Sequence, residues 1–297
     1  MRPKEVELSV VANPDDQARQ QDALAGKFDI VEFYTGRYIA DLAARTLGFT
    51  AIPIFVKRMF RHSYIYVNKH SNLRSPAGLH GKRVGLLTWC NSAAIWARGM
   101  LADEFAVDLQ AIKWVVGWPD SIPNWKPPSW ANLEFVPEGR RDLFKLLATR
   151  EIDAAITTEM FAPNCNPDVE FLFRNYGELE RAYYRKTGFF PIHHTLLIRN
   201  SVLRENPWVA MSIFNACQES KRRCYEWLEW QRIHQTSLWY RALWEEEQAA
   251  GGTDFYKWGF KESRPELDKL LTYCQRDGVT PRKFAPEEMF WETTLDT

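Results

Sequence analysis

The sequence predicts an α/β protein with mostly parallel strand pairing. Three observations carry that expectation. Short β-branched and apolar runs alternate with helix-compatible stretches along most of the chain. The 297 residues suffice for one large domain or two lobes. With 45 % hydrophobic and 26 % charged residues, the composition is that of an ordinary globular protein and far from that of a disordered one.

Each element has its own local reason. Residues 6–11 alternate apolar and polar and then turn apolar, which predicts a strand. Asn13, Pro14 and Asp15 make a turn, and residues 16–25 form a polar helix stopped by Gly26. Residues 28–33 read as a strand, 37–45 as a helix, and 50–55 as an apolar run broken by Pro53. Residues 64–67 are rich in β-formers and end in a polar turn. A new unit begins near Ser75-Pro76, with a strand over 83–87 and a helix running to about Phe105. Ala94, Ala97, Leu101 and Phe105 fall on one face of that helix. Four prolines make 115–130 irregular. A helix over 142–149, a strand over 152–157, a helix over 178–186 and a strand over 195–199 follow. Asn206 and Pro207 suit the N-cap and first turn of a long helix, with Val209, Ile213, Cys217, Cys224 and Leu228 along one face.

Charge and cysteine usage exclude several classes. Lys+Arg and Asp+Glu are both 38, so no basic excess exists to neutralise a nucleic-acid backbone. The five Cys include no C-x-x-C pair, which argues against a zinc cage or a disulfide framework. The start is charged, and no apolar run reaches signal-peptide or membrane-span length. The expected compartment is therefore the cytoplasm, with no membrane partner and with reduced thiols. The 13 Trp, 11 Tyr and 18 Phe read mainly as core. Tyr225, Trp227, Trp230, Trp239, Tyr240 and Trp244 recur near helical spacing and are expected to pack helices.

Four segments carry residue types suited to chemistry. Arg58 and Arg61 can fork onto carboxylates, with His62 beside them to move a proton and Ser63 to donate. The turn of Thr88, Trp89, Cys90, Asn91 and Ser92 opens a helix, where unpaired N–H groups favour an anion and where plain capping is the competing role. Thr187 and Phe189 precede His193 and His194, whose side chains point to opposite faces of a strand, so that the pair makes no two-histidine metal site. Glu32, Tyr34 and Thr35 close a strand at its carboxyl end, where open α/β sheets bind ligands.

Taken together these segments resemble a known family. Phe28-Asp29-Ile30-Val31-Glu32, Ala51-Ile52-Pro53-Ile54-Phe55, Arg58-Met59-Phe60-Arg61-His62-Ser63 and Thr187-Gly188-Phe189-Phe190-Pro191-Ile192-His193-His194 stand in the order of the 4,5-dihydroxyphthalate decarboxylases. One departure is the turn after Glu32, which is Phe-Tyr-Thr-Gly here. The resemblance implies a two-lobed type II periplasmic binding-protein-like fold with the ligand cleft between the lobes. Residues 1–73 and 192–297 would form lobe 1, and 74–191 the inserted lobe 2, with 64–67 and 195–198 as crossovers. It also implies decarboxylation of a hydroxylated aromatic acid without a redox cofactor. No ligand set in the sequence demands a divalent ion, although one gripping the catechol is compatible with it. Arg58 or Arg61 would clamp a carboxylate, and His62, His193 or His194 would supply the proton. Glu32 would orient or deprotonate a hydroxyl, and Tyr34, Trp89 and Phe189 would lie against the ring. The partner is then a small aromatic carboxylate, and a homo-oligomer is compatible with it. The competing expectation is a non-catalytic solute-binding or sensor protein of the same fold.

Overall fold

Two β-sheets of unequal size, three strands and six, organise the chain in the computed structural model, which describes residues 5–11, 16–157, 166–231 and 237–297. Helix α1 (Asp16–Leu24) leads to β1 (Ile30–Tyr34), α2 (Thr35–Ala44), β2 (Phe49–Arg58) and β3 (Ile65–Asn68). Next come β4 (Arg83–Leu86), α3 (Ser92–Phe105), β5 (Lys113–Val116), β6 (Asn132–Phe135), α4 (Leu143–Ala148), β7 (Ala154–Ile156) and β8 (Val169–Phe171). The chain continues through α5 (Tyr176–Thr187), β9 (Ile192–Arg199), α6 (Asn200–Glu205), α7 (Val209–Gln231), α8 (Tyr240–Gly251) and α9 (Phe260–Arg276).

The small sheet has the order β1-β9-β2 and is antiparallel throughout. The large sheet has the order β6-β5-β4-β7-β3-β8, parallel from β6 to β7 and antiparallel on both sides of β3. The expectation of mostly parallel pairing therefore fails. Strand β9 returns from the other sheet and runs against both of its neighbours. Strand β3 lies wholly in the large sheet and β9 wholly in the small one, so the chain passes from the small sheet to the large one between β2 and β3 and returns between β8 and β9. Pro53 sits where β2 loses register with β9, between the pairs Ile52–Leu196 and Lys57–His194. Proline lacks a ladder donor, so a bulge in an edge strand accommodates it.

Other expectations shift for local reasons. Residues 6–11 form no strand, because nothing among the described residues pairs with them, and Leu8, Val10 and Val11 are exposed. Asn13, Pro14 and Asp15 lie outside the described residues. Helix α7 starts at Val209, after Asn206 has ended α6, and the Asn206 carbonyl accepts from the Val209 N–H. Its apolar stripe holds over Val209 and Ile213, but Cys224 is exposed. Trp244 is buried as expected, whereas Trp227, Trp230 and Trp239 are largely exposed.

Helix α3 departs most. Its expected single apolar face becomes a helix buried on every side, with all residues from Ser92 to Leu101 inside. Gly99 lets the Tyr273 ring of α9 lie directly on the α3 backbone, where a Cβ would come within 2.1 Å of that ring. One continuous apolar core around α3 takes Phe33, Phe55 and Leu197 from the small sheet and Ile65, Leu86, Trp114 and Ile156 from the large one. Among the described residues no helix is long and apolar enough to cross a membrane.

Candidate functional site

The site is built on the end of β9 nearest the sheet crossing. His194 stands directly opposite Tyr34 of β1 and, on its other side, opposite Lys57 of β2. Alternation along β1 puts Glu32 on the same face as Tyr34. As a result His194 Nδ1 and Glu32 Oε1 meet at 2.7 Å, and the Tyr34 and His194 rings meet edge-on at 4.5 Å. The histidine side chain is 6 % exposed and the glutamate 40 %, so the pair has a buried end and an open end. A carboxylate on one ring nitrogen fixes the orientation of an imidazole and directs its other nitrogen.

The two arginines, expected to act alike, part company. Arg58 is committed to the protein. Its guanidinium donates to the carbonyls of Phe190 and Lys257 at 2.7 Å each, and it pairs with Glu266 at 2.7 Å. Glu266 also accepts from the Ile192 N–H at 2.9 Å, so the pair fastens the entry to β9. Burial pushes the Glu266 carboxyl up, and Arg58 draws it back down. Arg58 thus holds the histidine strand through its two Nη atoms, while its Nε is buried without a partner. Arg61 is the opposite case. It is 2 % exposed, its Nε donates to the Phe60 carbonyl, and both Nη atoms are buried without a partner. The guanidinium lies 4.2 Å over the Tyr64 ring. Burial pulls its pKa down to about 10. A cation buried without an anion is costly.

The three histidines separate just as clearly. His62 sits in a box made by Phe105, Phe173 and Tyr183, with Nδ1 unpartnered, and burial holds its pKa near 4. It is a neutral packing residue. His193 points to the other face of β9. Its Nε2 lies 3.1 Å from the Met59 carbonyl, which can only accept, so Nε2 carries the hydrogen. Burial first, and then the positive charges of Arg61, His194 and Lys57, drive the His193 pKa well down. His193 is thus a neutral strut surrounded by cations, and of the three histidines only His194 is joined to an acid.

The helix starts resolve into caps. The Asn91 side chain accepts from the Ala93 N–H at 2.8 Å, and Asp120 accepts from the N–H groups of Trp89 and Cys90. The donors expected to grip an anion are therefore occupied. Burial pushes the Cys90 thiol well up, away from the thiolate form. Trp89 is fully buried, donating to the Asp277 carbonyl and packed against Trp114, Trp130 and Arg98, so it cannot lie on a ligand. Thr88 is half-buried in the same turn. Ser92 is an inner tie: its hydroxyl donates to the His193 carbonyl at 2.8 Å and accepts from the Gly36 N–H at 2.9 Å. Only glycine fits at 36, where a Cβ would come within 2.5 Å of the Cys90 carbonyl oxygen. Thr35, at the start of α2, is fully buried with its hydroxyl unpartnered.

The remaining candidates lie to one side. Thr187 closes α5, donating to the Tyr183 carbonyl and accepting from the Phe189 N–H. Thr187 and Phe189 line a cavity of 210 Å³ that Arg58 and Glu266 also border. Ser63 gives both its N–H and its hydroxyl to Glu180 Oε1, at 3.1 and 2.8 Å. Sequence reasoning missed Glu180 and Glu266. Each is one acid among many on a charged helix, and no spacing marks it. Among the described residues no group of three or more His, Cys, Asp or Glu side chains could hold a metal ion.

The chain is 32 % identical over 285 residues to the 4,5-dihydroxyphthalate decarboxylase of Comamonas testosteroni, covering 91 % of this chain and 84 % of that one. It is 30 % identical over 171 residues to the 4,5-dihydroxyphthalate decarboxylase of Pseudomonas putida, covering 54 % of this chain and 65 % of that one. No family model matches. Among solved structures it is similar to the periplasmic aliphatic sulphonate binding protein SsuA from Escherichia coli, with a TM-score of 0.51 at 10 % identity over 94 % of this chain and 84 % of that one. That likeness supports the two-lobed type II fold.

Proposed function

From the premise that the chain belongs to the 4,5-dihydroxyphthalate decarboxylase family, and is therefore a carboxy-lyase, we propose that it removes one carboxylate from a dihydroxylated benzene dicarboxylate, with His194 as proton donor and Arg61 as carboxylate clamp. The observation that carries the assignment is the Glu32–His194 pair. Among the described residues it is the one place where a histidine of the sequence motifs meets an acid at hydrogen-bond distance.

The chemistry asks for three things, and the residues can supply them. A dianionic substrate needs positive charge, and Arg61, Lys57 and His194 all bear on the same strand end around His193. The ring carbon that bears the departing carboxylate needs a proton, which His194 would deliver while Glu32 holds its ring. A hydroxyl para to that carboxylate pushes electron density toward the same carbon. The new C–H bond forms, the C–C bond to the carboxylate breaks, and its electron pair restores the aromatic ring as carbon dioxide leaves. The proton spent is replaced from solvent at the open side of the Glu32–His194 pair. Tyr34, edge-on to His194, would border the ring.

Incubation with 4,5-dihydroxyphthalate, followed by mass spectrometry, should give 3,4-dihydroxybenzoate and carbon dioxide. Tight binding with the acid recovered unchanged would return the protein to the solute-binding alternative.

A further inference from the structure

Part of the aromatic excess of the sequence is gathered around one cavity. Tyr225 of α7, Tyr240 and Trp244 of α8, and Phe255, Tyr256 and Trp258 of the stretch before α9 line a space of 480 Å³, a size that small ligands occupy. The rings of Tyr225, Trp244 and Phe255 meet one another at 6.1, 5.4 and 5.7 Å, and Tyr240 lies parallel to Trp244 at 6.3 Å. Two charged side chains, Lys221 and Glu247, complete the lining, and none of Glu32, Tyr34 and His194 reaches it. We propose that this cavity is a second ligand site, separate from the decarboxylation site, that takes a small organic cation on its ring faces with Glu247 as the counter-ion.

The charge of the occupant follows from what the walls leave unused. The polar ends of the rings are already engaged by the protein. The Tyr225 hydroxyl accepts from the Tyr256 N–H at 3.0 Å, and the Trp244 indole donates to Glu229 at 2.7 Å. The Tyr256 hydroxyl donates to the Val56 carbonyl at 3.2 Å, the Trp258 indole to the Phe55 carbonyl at 2.8 Å, and the Tyr240 hydroxyl to the Leu228 carbonyl at 3.4 Å. These bonds fix the rings and leave their surfaces as the wall. An aromatic face is electron-rich and attracts a cation within about 6 Å of its centroid. Lys221 shows that attraction inside the protein, with its ammonium 5.0 Å from the Trp258 ring centroid. Its charge is neutralised, because Nζ meets the two Asp254 oxygens at 2.8 and 2.6 Å and donates to the Tyr256 carbonyl at 3.1 Å. Glu247 is the charge left over. It is open to solvent, and neither a hydrogen bond nor an ion pair holds it among the described residues. Partial burial and the neighbouring Glu246 push its carboxyl up, and Arg181 draws it back. An aromatic acid entering here meets a like charge, whereas an alkyl- or arylammonium gains the ring faces and the carboxylate together.

The test is titration calorimetry of the full chain with phenyltrimethylammonium, and with benzyl alcohol and benzoate as the neutral and anionic comparisons. Phenyltrimethylammonium should bind, benzyl alcohol more weakly, and benzoate not at all. Glu247→Gln should weaken the cation about fivefold, the worth of one nearby charge in water. Tyr240→Leu should weaken it by roughly 2–30-fold, the range of a cation–ring contact, and Tyr240→Phe, which keeps the ring, should bind as the parent does. Glu32→Gln should leave cation binding unchanged. No binding of phenyltrimethylammonium, or equal binding of benzoate, overturns the site. Binding that survives both Glu247→Gln and Tyr240→Leu lies elsewhere and overturns it too. A loss in Glu32→Gln would put the cation at the decarboxylation site and remove the case for a second one. Should Tyr240→Leu fold poorly, Glu247→Lys at its solvent-open position gives the same reading by abolishing cation binding.

Discussion

Glu32 and His194 are joined at 2.7 Å across the antiparallel pair of β1 and β9, two residues off direct register. Diagonal neighbours on one face of a sheet reach each other only when a side chain is long enough to lean along the strand. The contact therefore depends on the length of the glutamate. His194→Gln should lower kcat by roughly 10²–10⁴-fold, the usual worth of general acid help, with the fold intact. Glu32→Gln should lose less, and Glu32→Asp should fall short of the ring and behave like Glu32→Gln. Carbon dioxide release under saturating substrate separates these cases, and an active His194→Gln would refute the assignment.

Arg61 offers a trade between binding and stability. Hydrogen bonds to charged groups contribute about 1.5–3 kcal/mol, so Arg61→Met should raise KM by roughly 10–200-fold. The same change removes a buried charge that the folded protein leaves unpaired, so the urea midpoint should not fall. A loss of stability without a change in KM would mark Arg61 as structural.

Arg58→Met should do the reverse. It strands the buried carboxylate of Glu266 and frees the Phe190 and Lys257 carbonyls. Breaking such a pair from one side costs about 3–5 kcal/mol. Urea unfolding should show that loss, and activity should fall only as far as the entry to β9 loosens.

His62 sets part of the acid limit. Burial holds it near pKa 4, whereas an exposed ring titrates near 6.5. Between these values the unfolded chain binds a proton that the folded chain refuses. Stability is therefore complete above pH about 6.5 and is lost as the pH falls toward 4, by roughly 3 kcal/mol at most. His193, also held well down by burial, adds in the same direction. In His62→Phe the dependence should be shallower, read as urea midpoints from pH 7.5 to 4.5. An unchanged slope would show that His62 does not carry it.

The sequence exposed β1 to β4, β7 and β9, the motif segments and the family, because those are local patterns of polarity and type, but it passed over β5, β6 and β8 and placed a strand over 6–11 that does not form. It also put Glu32 and His194 among the candidates, since both sit at strand ends. It could not separate Arg58 from Arg61. Both lie in one short segment, and what divides them is Glu266, far along the chain on α9. It could not rank the histidines either, because the aromatic box around His62 is assembled from three separate elements. Helix α3 was misread for a related reason. Small and apolar residues on every side leave no polar face, and only the second sheet explains why none is needed.

That helix has a thermodynamic consequence. A protein whose two halves close on a ligand like a hinge keeps a separate core in each half, and the halves can melt apart. Here α3 serves both sheets at once, and only smaller clusters belong to one sheet alone. Neither half then keeps its main core without the other. Calorimetry should record one cooperative endotherm whose calorimetric and van't Hoff enthalpies agree, and the excised residues 74–191 should remain unfolded in isolation.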